Sequence, residues 1–540
     1  MKFLPFLLLL SVQSLFAQNS TYTFEDTLRG SVTPQRAWWD LTYYDLNISV
    51  DPSTESIKGH TAIQYTVLEN NQILQVDLQP PLKIDRILQD GVALTFEPAG
   101  RFAYFVRLQK PQRKGASETV TVFYSGNPRK AKRAPWDGGF SWSKDKNNLP
   151  FIATSCQGLG SSAWWPCKDH MYDEPDSMRI AVTTPAHLMD VSNGRLRKTI
   201  ENADSTKTYE WFVANPINNY GVNVNIAQYA HFSDTLHGEK GVLTLDYYVL
   251  PENLEKAKVQ FQQGKQTIRA FEYWFGPYPF YEDGYKLVEV PYLGMEHQSS
   301  VTYGNKYKNG YLGSDMSGTG WGSKWDYIII HESGHEWFAN NVTYKDIADM
   351  WIHESFTTYS EALFTEYYYG KQAGAEYAVG LRRGINNRKP IIGDYDVNAE
   401  GSGDMYPKGA NMLHTIRQIV DNDQKWREIL RGINRDFYHQ IVETKQIEDY
   451  ISKHGGHDFS KVFDQYLRNT SIPMFEYKIE KGKLQYRWMN CIEGFNMPLK
   501  VSINKKAQQF IYPSTEWQTW NKKVKQLEVD PNFYVRVLEN

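Results

Sequence analysis

Short runs with alternating apolar and polar residues fill the chain from about Thr42 to Phe232, among them YYDLNISVD (43–51), TVTVFYSG (119–126) and YGVNVNIAQYAHF (220–232). A period of two sends one row of side chains inward and the other to solvent, and turn-forming residues separate the runs, so this stretch is expected to be all β. From Pro251 the period lengthens. The segment ENLEKAKVQFQQGKQTIRAFEYWF (252–275) carries apolar residues at steps of three and four and reads as helix. A short strand, KLVEVPYL, ends at Leu293, and helical periodicity returns from Lys324 to about Arg468. After Pro473 alternation resumes, with FEYKIEKGKLQYRW (475–488) resembling a hairpin about Lys481–Gly482 and further short strands up to Val537.

The expected organisation is multidomain α+β. A leader over 1–17 precedes a β-rich domain over 18–238, a domain over 239–470 that opens with the helix just quoted, and a β-sandwich-like end over 471–540. A length of 540 residues suits about three domains. No repeat, low-complexity tract or long Gly/Ser linker separates them.

Charge and cysteine content narrow the function. Lys plus Arg number 59 against 62 for Asp plus Glu, so a polyanionic partner has no counterpart here and nucleic-acid binding is not expected. Met1-Lys2, the apolar run Phe3–Leu10 and the small or polar residues up to Ala17 have the layout of a secretory signal, with cleavage expected between Ala17 and Gln18. The apolar run is too short to span a bilayer, and no other stretch approaches spanning length, so an exported protein, periplasmic or extracellular, is expected. Three cysteines, Cys156, Cys167 and Cys491, make no disulfide framework, and spacing alone leaves a Cys156–Cys167 bridge open.

The most informative segment is HESGH at His331 to His335, inside WDYIIIHESGHEWFANN (325–341). Imidazoles at i and i+4 share one helix face and can both reach one Zn²⁺. Glu332 then stands beside the metal, placed to take a proton from a water whose pKa the metal has lowered. A catalytic zinc needs a third protein ligand. The segment DMWIHESFTTYSEALFTEYY (349–368) reads as a second helix, and it offers Glu354, with 18 residues between it and His335, and His353 as competitor. Glu361, seven residues further along the same face, is positioned either to orient a ligand imidazole or as a surface carboxylate.

HESGHEWFANNVT followed by WIHESFTTY resembles the aminopeptidase N family of zinc metallopeptidases, a gluzincin group that includes leukotriene hydrolase and carries HExxH, 18 residues, then Glu. That resemblance selects Glu354 as third ligand and implies one zinc ion per chain. It also implies a β-rich amino-terminal domain, a thermolysin-like catalytic domain and a β-sandwich end. The family's GxMEN signature is matched in VPYLGMEHQSS by Gly294, Met295 and Glu296, with Leu293 and His297 standing where the family has Gly and Asn. In the family this Glu binds the substrate's free α-amine. TSCQGLGSSAWWPCKDHMYDEP resembles a further family segment, and Gln157 matches its amine-contacting position. DMYPKGANML resembles the family's Tyr-x-Lys-Gly segment and nominates Tyr406 to steady the oxyanion, a role suited to a neutral phenol donor.

The resemblance thus implies an aminopeptidase acting on peptides with a free amino terminus. The large helical domain that ends many family members is not expected here, since the residues after Pro473 read as strands. Two other functions use the same residues: an endopeptidase or non-peptide hydrolase on the same zinc, and a catalytically silent, zinc-containing peptide-binding protein. The sequence leaves the oligomeric state, the physiological substrate and the side-chain preference undetermined.

Overall fold

The strand Trp39–Asp51 buries Trp39, Leu41, Tyr44, Leu46, Ile48 and Val50, and its register with Ser56–Val67 shifts between Leu41 and Tyr43. One extra residue at that bulge moves the inward row from odd to even positions without turning the strand inside out. The computed structural model describes residues 22–540, so the expected leader over 1–17 lies outside the described residues. Around Trp39–Asp51 an eight-stranded sheet forms, with Ser177–Pro185 parallel on one side and Ser56–Val67 antiparallel on the other. A three-stranded sheet and a four-stranded sheet, the latter containing Pro150–Ser155, complete the β-rich region around one apolar core.

The second region begins with a hairpin, Ala230–Gly238 paired to Gly241–Val249, which crosses residue 238 where the sequence suggested a division. It belongs to a five-stranded sheet that continues through Tyr285–Glu289 and Val301–Tyr303 and ends on the two-residue strand Gly294–Met295. Helices pack on this sheet, and three of them carry the candidate chemistry: Tyr327–Gly334, Trp351–Tyr369 and Pro407–Val420. Beyond Leu467 lie a four-stranded and a three-stranded sheet. Their inward residues Phe475, Trp488, Leu499 and Val501 join the same apolar cluster as the helices, so the carboxyl-terminal strands brace the helical region.

Among the described residues no helix is long and apolar enough to cross a membrane. Cys156, Cys167 and Cys491 are all free thiols, which answers the open question of a Cys156–Cys167 bridge. Burial raises the pKa of both Cys156 and Cys167, as expected of inert core thiols.

Candidate active site and metal centre

Asp326 starts the first of the three helices: its carboxylate accepts from the Ile328 and Ile329 amides, and Gln260, Tyr303 and Asn305 also donate to it. The α-helix closes at Gly334. His335 follows with helical φ −65° and ψ −16°, so the i, i+4 relation to His331 is kept although the helical class changes after it. Gly334 marks the crossing with the second helix: a Cβ there would meet Ser360 Oγ at 2.7 Å and Thr357 Cγ2 at 3.1 Å. Only a glycine lets the two backbones approach this closely.

That approach brings His331, His335 and Glu354 together, with one donor atom of each within 4.8 Å of the others. Glu354 Oε2 lies 3.7 Å from His331 Nε2 and 3.4 Å from His335 Nε2, and accepts a hydrogen bond from neither. Donors held at about 2.0–2.1 Å around one tetrahedral zinc stand roughly 3.4 Å apart, so the spacing fits the ion. The remaining ring nitrogens are engaged elsewhere. His331 Nδ1 is 2.7 Å from Glu361 Oε1, whose other oxygen accepts from Tyr377 at 2.6 Å, and His335 Nδ1 is 3.0 Å from the Phe338 carbonyl. Those contacts fix each ring with Nε2 toward the metal position. The donor chemistry and an otherwise orphaned buried oxygen both suit a zinc ion. Burial opposes ionisation of Glu354, but the His335 and His331 imidazoles hold its carboxyl well below the usual range.

His353, the alternative third ligand, is turned away. Its Nε2 accepts from the Tyr344 amide at 3.0 Å, and its ring stacks on Tyr344 at 4.1 Å.

Glu332 is buried, and desolvation lifts its carboxyl to about 7 against the pull of His331. Glu296 shares its neighbourhood, since Glu296, Glu332 and His335 also place donor atoms within 4.8 Å of one another. Glu296 Oε1 accepts from Gln157 Nε2 at 2.7 Å and from the Tyr220 hydroxyl at 3.0 Å. Gln157 Nε2 donates to Glu354 Oε1 as well, at 2.9 Å, which ties the amine-side residues to the metal ligands. Gly294 and Met295 pair with Tyr303 and Thr302, and a Cβ on Gly294 would come within 3.1 Å of Glu332 Oε1. His297 is fully buried and held neutral, its pKa pushed down to about 3 by burial, with Nδ1 3.4 Å from Thr302 Oγ1.

Tyr406 precedes Pro407 at the start of the third helix, where Gly409 leaves room for Ser355 of the second. Its ring stacks 6.2 Å from that of His331, and burial and Glu354 raise its pKa, so it is a neutral donor. The cleft over these groups has a volume of about 280 Å³.

Tyr220, Thr357, Tyr377 and Tyr327 were not singled out from sequence. Tyr327 stacks on His331 at 5.1 Å and stands four residues before it, a helical spacing that signals the contact. Thr357 Oγ1 is 3.1 Å from His335 Nδ1. Tyr220 reaches Glu296 from a short turn 76 residues upstream and has no such signal.

Residues 259–466 match the model of the Peptidase family M1 domain. Leucyl aminopeptidase of Saccharolobus solfataricus is 20% identical over 406 residues, covering 71% of this chain and 50% of that protein. Leukotriene A-4 hydrolase of Xenopus laevis is 20% identical over 445 residues, covering 76% and 68%. The chain spans about half the length of the archaeal relatives it matches. An M1 zinc metallopeptidase from Deinococcus radiodurans, also solved with a Tyr-Ser-Ala substrate bound, shares the fold: TM-score 0.66 at 19% identity, over 81% of this chain and 95% of that one.

Proposed function

We propose that this chain is a zinc-dependent aminopeptidase that hydrolyses residues from the amino terminus of peptides. His331, His335 and Glu354 would hold a zinc ion, which when bound would supply Lewis acidity toward the attacking water and the scissile carbonyl. Glu332 accepts the proton of the attacking water on its carboxylate and returns it to the leaving amine. A carboxyl lifted toward neutrality suits both steps. Tyr406 donates a hydrogen bond from its neutral hydroxyl to the negative charge that grows on the scissile carbonyl oxygen.

The observation that carries the exopeptidase reading is the position of Glu296. Its buried carboxylate stands within 4.8 Å of Glu332 and His335, about one residue's reach from the bond to be broken, and pairs well with an ammonium. Gln157 spends its amide hydrogens on Glu296 and Glu354, leaving its carbonyl oxygen to accept from the same ammonium. A peptide blocked at its amino terminus would bury those groups unpaired.

The match over 259–466, the relatives that are aminopeptidases and the structural neighbour's bound tripeptide support this reading. Purified protein is expected to hydrolyse chromogenic aminoacyl amides, to lose that activity on zinc chelation and to recover it with added zinc. Full activity in protein shown by elemental analysis to be stripped of metal contradicts the proposal. We also propose export, on the strength of Met1 to Ala17. A mature protein that begins at Gln18 and is recovered outside the cytoplasm supports that, and protein that stays in the cytoplasm with Met1 retained contradicts it.

A further inference from the structure

Four carboxylates face the cleft: Glu296, Glu332, Glu354 and Glu400. The first three are taken up by the amine, the proton and the metal in the reading above. Glu400 is not. Its side chain makes no hydrogen bond or ion pair among the described residues, and no Lys or Arg lines the cleft. Glu400 Oε2 lies 3.9 Å from where a Cβ on Gly158 would stand, beside Gln157, which places it on the amine side of the metal. Glu400 is exposed to solvent at the cleft, and partial desolvation together with the charge of Glu354 raises its pKa, so a cation beside it would be favoured.

The backbone around Glu400 is fixed. Ala399 pairs with Asp394, a Cβ on Gly393 would strike the Ala399 carbonyl at 2.1 Å, and one on Gly401 would strike the Ile391 carbonyl at 1.6 Å. The loop that presents the carboxylate is therefore closed on itself by two close approaches. Gly138 packs against Leu159 two residues after Trp136, which is 68% exposed and forms part of the cleft wall. With Met350 and Met405 the wall offers apolar surface to a long aliphatic stem, and Glu400 offers a charge to its end.

We propose that Glu400 selects peptides whose first residue is arginine or lysine, its carboxylate pairing with the side-chain cation while Glu296 holds the α-ammonium. This rests on the aminopeptidase reading and names the substrate class for that site. With zinc bound and the α-amine seated, the cleft still carries an excess negative charge that a second substrate cation neutralises. Neutral first residues leave Glu400 unpaired, and acidic ones meet repulsion.

The test compares kcat/KM for arginyl and norleucyl amides with free amines, since the two share an unbranched stem and differ in charge. Arginine is expected to be preferred by about two- to fivefold, the scale of one solvent-accessible ion pair. The preference should shrink as salt rises from 0.05 to 0.5 M. Glu400→Gln should bring the ratio close to one, and Glu400→Lys should reverse it. A wild-type ratio at or below one, which needs no variant, overturns the inference, as does a preference that survives Glu400→Gln. Turnover of both substrates without discrimination leaves the aminopeptidase reading standing and removes only this inference. Failure of the zinc-loaded protein to turn over either substrate overturns both.

Discussion

At the scale of single residues, each polar group in the cleft has a distinct duty, and removing it should fail in a distinct way. Glu332→Gln keeps the shape and the metal ligands but cannot take a proton, so kcat should fall by roughly 10²–10⁴ with zinc content unchanged. Glu361→Ala leaves His331 Nδ1 without its 2.7 Å partner and should weaken zinc binding roughly 10–100-fold by competition with a chelator. Unchanged zinc affinity would mean that Glu361 is only a core carboxylate. His331, Glu332, His335 and Glu354 were legible because their relation is a matter of helical pitch and one family spacing. Tyr220 and Glu400 were not, because each arrives from a segment whose position depends on the tertiary fold.

At the scale of elements, the site depends on how closely two helices cross. Gly334→Val puts a branched side chain where even a Cβ meets Ser360 Oγ at 2.7 Å, and overpacking of that kind costs about 1–3 kcal/mol. Chemical denaturation should show the loss, together with weaker zinc binding as Glu354 is levered from the two histidines. A variant as stable as wild type would mean that the crossing has slack. The strand runs and the long helices were readable from period alone, since packing on one face imposes two or 3.6 residues. The change of helix class after His335 and the two-residue strand Gly294–Met295 were not. They are set by contacts to Phe338, Thr302 and Tyr303, which leave no periodic trace.

At the scale of the whole molecule, the β-rich region and the helical region complete one site. Gln157 comes from the first and the metal ligands from the second, and the junction is made of buried polar groups. Lys286 donates to the Gly194 carbonyl and Ser299 accepts from the Gly194 amide, while the Ser299 amide donates to Glu336 at 2.9 Å. Burial lifts Glu336 to about 8, so the folded protein holds a proton there that the unfolded chain releases near 4.5. Stability from this group is full below about pH 4.5 and is lost as pH rises toward 8, by at most about 1.4 kcal/mol per pH unit. Glu336→Gln should flatten that decline in thermal melts between pH 5 and 8. Equal slopes for variant and wild type would show Glu336 ionised in the fold. The sequence placed a domain division at residue 238, whereas the hairpin Ala230–Val249 runs through it, because charge and hydropathy do not reveal which sheet a strand will join.

One comparison tests the site as a whole: kcat/KM of the zinc-loaded protein for a peptide with a free amino terminus against the same peptide acetylated. An anchor made of Glu296 and Gln157 predicts at least about tenfold preference for the free amine, the scale of one charged hydrogen bond lost. Equal rates for the two peptides would contradict it.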